Sequence, residues 1–523
     1  MTQKQPIAFF CSEYALTDNP AMYAGGLGVL SADYLLELAE EKIPFFAVGI
    51  KYRGFDDKEY EKQNFTLDIP VGEKNIKTAV WTKKFGQESS LSLLDADIEE
   101  NSEADRLITA NLYDTDFKTR LKQQIILGVG GVRLIKKMGI KPSIYHLNEG
   151  HTAFAALGIL AELPEDADKI VTTKHTILHE AGLYVPREEL AEEIGRYCKE
   201  TETDFNAVFE KGKYELDDNI FSTTKFALNS AIRKNAVSKK HAEYEKITHP
   251  ESSLIPITNG IYLKRWKSPL WNNLSDNSSH EKIRETKRAL RTRFVSLIFE
   301  KTGKKLNPDF CTIVWARRFA AYKRPYLLFE NIEKIKKIVS NKKHPIQIVV
   351  SGKAHPADQN GQDTARKILE MSNNPSFEGR LAYLPDYSLS SAEILATGAD
   401  VWLNTPEKGK EACGTSGMKA GANGGLLMSV ADGWVEENEW KKTGWIIPPE
   451  TKEASDFICE TIEKEIAPLF YGNSPEWVEK MKETMGIIEN KYSAGRMIKD
   501  YFKKIYFPEF PKCDILSSDV AYF

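Results

Sequence analysis

Residues 411–423 read Glu-Ala-Cys-Gly-Thr-Ser-Gly-Met-Lys-Ala-Gly-Ala-Asn and lie between two apolar segments with the composition of buried strands. The first segment covers residues 399–404 and the second covers 424–430. We predict a helix that begins near Gly414 between them, so this stretch fixes a strand–helix–strand unit. The first turn of a helix has unpaired N–H donors and a positive dipole end, which together bind anions. Lys419 would lie on this helix, close to the bound anion.

A lysine beside a phosphate pocket is the combination that covalent attachment of pyridoxal phosphate requires. A Gly-rich loop with one exposed lysine explains the same window, and the window alone does not separate the two. The motif from Glu411 to Lys419, followed by Asn423, resembles the pyridoxal phosphate signature of the α-glucan phosphorylases that act on glycogen, starch or maltodextrin. Ala422 stands where that family usually has Leu or Met, which loosens the packing behind the helix without touching a reactive group.

The composition describes an ordinary globular protein rather than a specialised one. A chain of 523 residues is too long for one ordinary core, so we expect two or more domains. The net charge of -4 argues against general nucleic-acid binding. Six scattered cysteines without a Cys-x-x-Cys pair fit a reducing compartment and predict no metal site. We find no signal peptide and no window near the ~20 apolar residues of a membrane span, so we expect a cytoplasmic enzyme.

The first half of the chain begins with a strand and a glycine turn. Residues 7–11 are apolar, and residues 24–30, Ala-Gly-Gly-Leu-Gly-Val-Leu, then lead into a predicted helix. Gly25 and Gly26 would let a ligand approach the backbone in front of that helix, although a bare tight turn is the simpler alternative. The phosphorylases and the related glycogen and starch synthases carry a similar Gly-Gly-Leu-Gly loop, and this resemblance implies that Gly25 and Gly26 bind substrate.

Two further strands of this half end on polar residues, where open α/β sheets bind ligands. The strand at 143–147 is followed by Asn148 and His151, and the strand at 169–174 is followed by His175. Lone histidines are more often structural than catalytic, but both segments resemble those that line the sugar site of the phosphorylases. The resemblance implies substrate binding by Asn148 and His151 and a catalytic contact of His175 with sugar hydroxyls.

The second half repeats the α/β pattern after a hinge that resembles the family's Thr-Asn-Gly segment and includes Asn259. A strand at 312–315 leads into a run with four cations in eight residues, 317–324. Such a run is usually a solvated face, but at the carboxyl end of a buried strand it favours phosphate binding. The run is similar to the family's basic-basic-x-x-x-Tyr-Lys-Arg segment, with Arg317 where many members have Lys.

Two consecutive βα series predict an α/β protein with two Rossmann-like domains facing a cleft, the GT-B glycosyltransferase architecture. We place the domains at residues 1–258 and 259–523, the second including a C-terminal helical segment. We also predict an antiparallel insertion at about residues 53–100 and a long helix at 117–138. The chain resembles a short form of the family, without the N-terminal regulatory extension of animal glycogen phosphorylases, so allosteric control is not expected. Family analogy suggests a homodimer.

The resemblance implies phosphorolysis, in which the terminal glucose of an α-1,4-glucan passes to inorganic phosphate to give α-glucose 1-phosphate with retention. It implies that Lys419 anchors the cofactor and that the cofactor phosphate takes part in proton exchange. The resemblance implies that Arg318 and Lys323 bind the substrate phosphate, and that Arg317, Lys323, Gly414 and Thr415 bind the cofactor phosphate. It implies that Glu411, Asn259 and His175 contact sugar hydroxyls. Tyr387 and Trp266 would pack near the pyridine ring.

Two alternatives remain open from the sequence. A nucleotide-sugar-dependent glycogen or starch synthase would share the fold, the glycine loop and an Arg…Lys pair, but such synthases lack the lysine at the position of Lys419. A catalytically inactive glucan-binding protein would bind glucan without forming product from glucan and phosphate. The preferred glucan length and the direction of the reaction in the cell are not predicted.

Overall fold

The computed structural model of the chain describes residues 5–177, 182–248, 253–274, 278–354, 358–385, 387–472 and 474–508. These residues divide into two compact units. The first unit contains the described residues up to Thr258 and those from Met497 onward, and the second contains Asn259–Arg496. The predicted second domain of 259–523 was therefore wrong at its end, because the last described residues pack with the first unit.

The first unit is built on a mixed sheet of nine strands in the order β12-β11-β7-β6-β1-β2-β5-β4-β3. The strands of this unit are β1 (Ile7–Phe10), β2 (Phe45–Ile50), β3 (Glu61–Val71), β4 (Lys74–Phe85), β5 (Ser89–Asp95), β6 (Ile144–Asn148), β7 (Ile170–Lys174), β8 (Tyr184–Pro186), β9 (Lys213–Tyr214), β10 (Asp217–Ser222), β11 (Arg233–Ala236) and β12 (Ile255–Pro256). Strands β12 to β5 in that order run parallel, whereas β4 and β3 extend the sheet antiparallel. The predicted antiparallel insertion is thereby confirmed. Strands β8, β10 and β9 form a separate small sheet.

Strands β1 and β2 are buried along their whole length, as expected for parallel strands covered by helices on both faces. The strand order reverses between β1 and β6, which makes their carboxyl ends the topological switch point of the first sheet. Ligands of open α/β sheets bind at this position. The residues that follow β1 and β6 are therefore the first candidates for a site in this unit.

The helices of the first unit cover the faces of its large sheet. They are α1 (Gly26–Glu40), α2 (Glu103–Arg106), α3 (Phe117–Ile125), α4 (Gly131–Lys137), α5 (Ala153–Glu162), α6 (Arg187–Glu200), α7 (Phe205–Gly212), α8 (Thr223–Ser230) and α9 (Lys239–Thr248). A π-helical stretch, Ile126–Gly130, joins α3 to α4, so the long helix predicted at 117–138 is present with an irregular middle. Position 128 in that stretch requires glycine, because an added Cβ would stand 2.3 Å from the backbone of α5.

The second unit contains a six-stranded parallel sheet in the order β15-β14-β13-β16-β17-β18. Its strands are β13 (Cys311–Ala316), β14 (Ile346–Ser351), β15 (Leu381–Leu384), β16 (Val401–Asn404), β17 (Leu426–Val430) and β18 (Gly444–Ile447). Counted from the first strand, this order is 3-2-1-4-5-6, the arrangement of a Rossmann fold. The switch point falls between β13 and β16.

The remaining helices of the described chain begin in the second unit, and the last of them extends into the residues from Met497 onward that belong to the first unit. They are α10 (Leu263–Trp266), α11 (His280–Thr302), α12 (Ile332–Ser340), α13 (Gln359–Ser372), α14 (Leu389–Gly398), α15 (Ser416–Gly421), α16 (Thr451–Thr461), α17 (Ala467–Tyr471), α18 (Glu476–Lys491) and α19 (Ala494–Tyr501). Helix α15 connects β16 to β17, so the predicted strand–helix–strand unit is confirmed. The helix starts at Ser416, two residues later than predicted. It is six residues long and buries Lys419.

Candidate active site

The two neighbouring arginines after β13 occupy different environments. Arg317 is 4% exposed, and its Nη2 donates to Glu411 Oε1 at 2.6 Å. Arg318 is exposed. The second terminal nitrogen of Arg317, Nη1, and the second oxygen of Glu411, Oε2, are buried with no hydrogen-bond partner among the described residues. A buried ion pair that leaves one donor and one acceptor unused is prepared for a polar ligand.

The charges around this pair shift the pKa values of the neighbouring ionisable groups. Burial alone would raise the pKa of the Glu411 carboxyl, but the charges of Arg317 and Lys323 outweigh it and lower that pKa below its ordinary value. Burial, with the nearby charges of Arg317 and Arg318, lowers the pKa of the Lys323 ammonium to about 7. Burial and the charge of Glu411 raise the pKa of the Tyr322 phenol to about 12. At neutral pH, Glu411 is therefore ionised and Lys323 is close to its titration midpoint.

Arg324 ties the basic loop after β13 to the loop after β16. Its guanidinium donates to the carbonyl oxygens of Thr405 at 3.0 Å, Pro406 at 2.9 Å and Pro449 at 3.0 Å. The Thr405 hydroxyl in turn donates to the carbonyl of Lys323 at 2.9 Å. The last cation of the predicted phosphate-binding run thus has a structural role, and it fixes the backbone that carries Lys323.

Lys419 lies in the interior of the second unit. It is 6% exposed, and its Nζ stands 3.9 Å from the centre of a Trp266 ring. The Asn423 side chain fixes the surrounding backbone, because its Nδ2 donates to the carbonyls of Trp266 at 2.7 Å and Lys419 at 2.9 Å. Its Oδ1 accepts from the Ser268 N–H at 2.8 Å, and the buried Lys287 Nζ donates to the Asn423 carbonyl at 2.9 Å.

The segment between Glu411 and α15 passes close to the Arg317–Glu411 pair. A Cβ on Gly414 would stand 2.3 Å from Glu411 Oε1 and 3.2 Å from Arg317 Nη2, so a larger residue there would displace the pair. Thr415 precedes α15, and its side chain makes no capping hydrogen bond to the helix.

Two other predicted residues belong to the second unit. Asn259 is buried, and its Oδ1 lacks a partner within the described part of the chain. Burial raises the pKa of the Tyr387 phenol to about 12, and the Arg317 charge opposes that rise, which brings Tyr387 into the electrostatic neighbourhood of Arg317.

These residues meet the requirements of pyridoxal phosphate. The cofactor needs an amine that is held in place and a phosphate pocket with unused donors. The buried Lys419 supplies the first, and the unpartnered Nη1 of Arg317 beside Lys323 supplies the second. The bare α-carbon of Gly414 leaves room for the Arg317–Glu411 pair beside this segment. The donor set therefore fits the cofactor that the sequence predicts.

The first unit forms a second cluster at its own switch point. His175 Nε2 donates to Asn148 Oδ1 at 2.5 Å, and Asn148 Nδ2 donates to Ser31 Oγ at 3.1 Å. Burial lowers the pKa of His175 well below its ordinary value, so the imidazole is neutral. A neutral imidazole in a fixed tautomer can exchange hydrogen bonds with sugar hydroxyls without carrying a charge.

His151 and Glu149 connect the loops of this cluster. His151 Nε2 accepts from the Ser12 N–H at 3.1 Å, which joins the segment after β6 to the segment after β1. Burial lowers the pKa of His151 to about 3. Glu149 adopts a left-handed φ of 75°, and its carboxylate accepts from the N–H groups of Gly150 at 3.1 Å and His175 at 2.8 Å. Non-glycine residues with such backbone strain concentrate at functional sites.

Gly25 and Gly26 stand at the start of α1, as predicted. A Cβ added at either position would meet no atom within 4 Å, so the space above them is open. Glu13 holds this turn, because its Oε2 accepts from the N–H groups of Ala24 at 2.8 Å and Gly25 at 3.3 Å. Sequence reasoning missed Glu13, although its place just after β1 at a switch point was a usable signal.

The structure connects some of the predicted residues directly. In the first unit, His175 is hydrogen-bonded to Asn148, and Asn148 contacts Ser31 of α1, the helix at whose start Gly25 and Gly26 lie. In the second unit, Arg317, Glu411 and Gly414 lie against one another, Arg318, Lys323 and Tyr387 are electrostatic neighbours of this group, and Lys419 contacts Trp266. The roles of these residues, and those of His151, Asn259 and Thr415, stay predictions. Sequence reasoning gave no role to Glu13, Glu149, Tyr322 or Asp432, all of which contact predicted residues or influence their ionisation.

The lowered pKa of Lys323 predicts how phosphate binding depends on pH. Lys323 has a folded-state pKa of about 7 against an ordinary value of 10.5, so it loses its charge as the pH rises through 7. We expect the affinity for inorganic phosphate to fall between pH 6.5 and 8.5, by up to about tenfold per pH unit above the midpoint. Kinetics at varied phosphate concentration across this range measure the effect.

The Lys323→Arg variant is the matched control, because arginine keeps its charge throughout this range. Ionisation of the phosphate itself affects both proteins equally. A steeper loss of affinity with pH in the wild type than in Lys323→Arg is the expected result. Parallel profiles would show that Lys323 does not titrate in this range.

Two features are absent from the described residues. No helix among them has both the length and the apolar character that crossing a membrane requires. Within the same residues, no group of three or more His, Cys, Asp or Glu side chains is arranged to hold a metal ion.

Comparison with known proteins assigns the family. The family model for carbohydrate phosphorylase matches residues 257–439, and the model for the starch synthase catalytic domain matches residues 6–253. Glycogen phosphorylase of Aquifex aeolicus is 31% identical over 97% of this chain and 86% of its own length. Maltodextrin phosphorylase of Thermococcus litoralis is 29% identical over 99% of this chain and 72% of its own length.

Glycogen phosphorylase of Mycobacterium tuberculosis strain H37Rv is 28% identical over 96% of this chain and 71% of its own length. The chain belongs to the carbohydrate phosphorylases, a family of glycosyltransferases. The two family models fall on the two Rossmann-like units, in agreement with the predicted GT-B class. The predicted resemblance is thereby confirmed.

Proposed function

We propose that this protein is an α-1,4-glucan phosphorylase, which reversibly transfers the terminal glucosyl unit of a glucan to inorganic phosphate and forms α-glucose 1-phosphate with retention. The observation that carries the proposal is the buried Lys419, which lies in the same unit as a buried arginine with an unused donor. The relatives named as glycogen and maltodextrin phosphorylases support it over almost the whole chain.

The proposed cofactor is pyridoxal 5′-phosphate, covalently attached to Lys419. Arg317, Lys323, Gly414 and Thr415 would surround its phosphate, and Trp266 and Tyr387 would flank its ring. When bound, the cofactor supplies a phosphate group that can exchange a proton with the substrate phosphate. The chain's own contribution is to hold this phosphate in a fixed place and protonation state.

The basic loop has a specific electrostatic task in this proposal. Two phosphate groups repel each other strongly in a low-dielectric site unless nearby cations offset their charge. Arg317 is buried and would serve the cofactor phosphate, whereas the exposed Arg318 can reach an incoming substrate phosphate. Lys323 is assigned to both phosphates, and the charges of both arginines contribute to its lowered pKa.

The sugar would be recognised by hydrogen bonds rather than by charge. Glu411 is ionised and has one unused oxygen, and Asn259 has an unused amide oxygen, so both can accept from sugar hydroxyls. In the first unit, the neutral His175 and Asn148 are proposed ligands of sugar hydroxyls, and Gly25 and Gly26 leave open space at the start of α1. A site built to pair hydroxyls rejects ligands that lack them.

The donor assay separates phosphorolysis from synthase activity, which the starch synthase match makes the second candidate. With glucose 1-phosphate and a maltooligosaccharide primer, we expect the protein to lengthen the primer and release one phosphate per glucose added. In the reverse direction, glucan and phosphate should give glucose 1-phosphate. Product analysis and phosphate release measure both directions.

The matched arm of this assay replaces glucose 1-phosphate with a nucleotide-linked glucose at the same concentration. Transfer from the nucleotide sugar alone would assign the synthase activity. Binding of glucan with no product from any donor would instead indicate an inactive glucan-binding protein.

We also propose a cytoplasmic location, supported by five free cysteines among the described residues, and a homodimer, supported by the family resemblance.

A further inference from the structure

Asp432 follows β17 and binds the loop that carries Glu411. Its Oδ2 accepts from the N–H groups of Gly409 at 2.9 Å and Glu411 at 3.0 Å, and its Oδ1 accepts from the Gly433 N–H at 2.9 Å. Burial raises the pKa of Asp432 to about 6, and the backbone donors oppose that rise, so the carboxylate is ionised at neutral pH. Bonds of this kind to an ionised acceptor are stronger than neutral ones.

Gly433 provides a second contact with the same loop. It has a left-handed φ of 55°, and an added Cβ would lie 2.8 Å from the Ala412 carbonyl oxygen and 3.0 Å from the Glu411 carbonyl oxygen. Only glycine combines this conformation with such a close approach. The two backbones therefore touch directly at the residue that follows Asp432.

Trp434 provides the third contact. Its Nε1 donates to the Gly414 carbonyl at 2.8 Å. The indole is buried and packs edge-on against Tyr492, with ring centres 4.7 Å apart, and against Trp440 at 5.2 Å. The aromatic rings make Trp434 a rigid support, so the loop is held at its far end as well as at its start.

We propose that residues 432–434, here named the loop clamp, position Glu411 for sugar binding by fixing the backbone of residues 409–414. Asp432 is a positioning residue that acts through Glu411 and touches no reacting atom. The inference rests on the proposed function, because that function makes Glu411 a ligand of sugar hydroxyls. Through Glu411 the clamp also sets the place of the Arg317 guanidinium, to which Glu411 is paired.

The clamp contacts hold Glu411 in a more precise position than the loop could maintain by itself. Residues 405–415 contain no helix or strand, so their own backbone hydrogen bonds do not fix Glu411. A displacement of about 1 Å at a positioned group is enough to cost roughly a hundredfold in rate. Contacts at the start, middle and end of the loop oppose such a displacement.

Hydrogen exchange tests the clamp without any substrate. Loss of one charge-assisted hydrogen bond should speed the exchange of loop amides roughly 10- to 100-fold. We expect this in peptides covering 407–414 for Asp432→Asn, and a smaller increase for Trp434→Phe, which keeps the ring but removes the indole donor. Trp445→Phe is the matched control, because the Trp445 indole donates to Glu465 Oε2 and not to this loop.

Kinetics then test whether the clamp acts through Glu411. Asp432→Asn should lower kcat/KM for glucan roughly 10- to 100-fold, and the same change in a Glu411→Gln background should have little further effect. Additive losses in the double variant would overturn the inference, as would unchanged exchange in both clamp variants or equally fast exchange in Trp445→Phe. A wild-type protein inactive on glucan and phosphate would overturn the proposed function instead, and the exchange result would still decide whether the clamp orders the loop.

Discussion

Replacing Lys419 by Met is expected to remove covalently bound pyridoxal phosphate and to lower phosphorolysis by at least about a thousandfold. Methionine keeps most of the volume and apolar contact of the buried lysine stem, so the unit should still fold. It lacks the amine that anchors the cofactor, and an unanchored cofactor loses the fixed position on which electrostatic catalysis depends. Absorbance of the purified protein and glucose 1-phosphate formation measure the two losses.

The wild-type protein supplies the second half of this experiment. Borohydride reduction should fix the cofactor to the peptide that contains Lys419, and peptide mapping should find it there. Lys408→Met is the control, since Lys408 is an exposed lysine of the neighbouring loop. A label on another lysine, or a colourless wild-type protein that added cofactor does not reconstitute, would reject the proposed cofactor.

The sequence was sufficient for the strand–helix–strand unit around Lys419. Strands β16 and β17 are short apolar runs because parallel strands are buried on both faces, and this makes them visible without any neighbouring information. The glycines and small residues between them marked the connection to α15. Local composition therefore encoded this part of the site.

The end of the chain could not be assigned in the same way. Sequence reasoning placed residues up to 523 in the second domain, with a helical and amphipathic segment from about Ser474 to Tyr506 and a tail without pattern. The structure instead shows long-range bonds from this segment into the first unit, where the Tyr501 hydroxyl accepts from Asn235 Nδ2 at 3.2 Å and the Tyr506 hydroxyl lies 2.7 Å from His146 Nδ1. An amphipathic pattern indicates that one face of a helix is buried, but it does not indicate which part of the protein covers that face.

Asp432 and Glu13 were missed for a related reason. Both act by accepting hydrogen bonds from backbone N–H groups, which every residue except proline has. No pattern of residue types marks such a contact before the fold is known, and the only usable signal for Glu13 was its position just after β1. The pairing of Arg317 with Glu411 also depends on the fold, because 94 residues separate the two side chains that the switch point brings together.

The difference in burial between Arg317 and Arg318 gives the second large expected effect. Arg317→Leu should lower the free energy of unfolding by about 3–5 kcal/mol, because it leaves the Glu411 carboxylate buried and unpaired. Arg318→Leu should change it by no more than about 0.5 kcal/mol, since Arg318 is exposed. Denaturant unfolding of both variants measures the contrast. Similar losses in the two variants would show that the buried pair is not a stabilising contact.

The double variant Arg317→Leu/Glu411→Gln isolates the pair itself. Neutralising Glu411 removes the unpaired buried charge, so the double variant should be more stable than Arg317→Leu alone. A double variant that is less stable would mean that Arg317 stabilises the unit by packing rather than by charge.

The same two variants should also differ in activity, because each arginine is assigned to a different phosphate. Arg318→Leu should keep its cofactor but weaken phosphate use by about 1.5–3 kcal/mol, or roughly 10- to 100-fold, the range for a hydrogen bond to a charged group. Arg317→Leu should bind pyridoxal phosphate weakly, so excess cofactor should restore part of its activity and, by binding the folded state, part of its stability. Phosphate dependence with and without added cofactor tests both assignments. If added cofactor restores Arg318→Leu and not Arg317→Leu, the two phosphate roles must be exchanged, because only the residue that holds the cofactor phosphate can be compensated by supplying more of it.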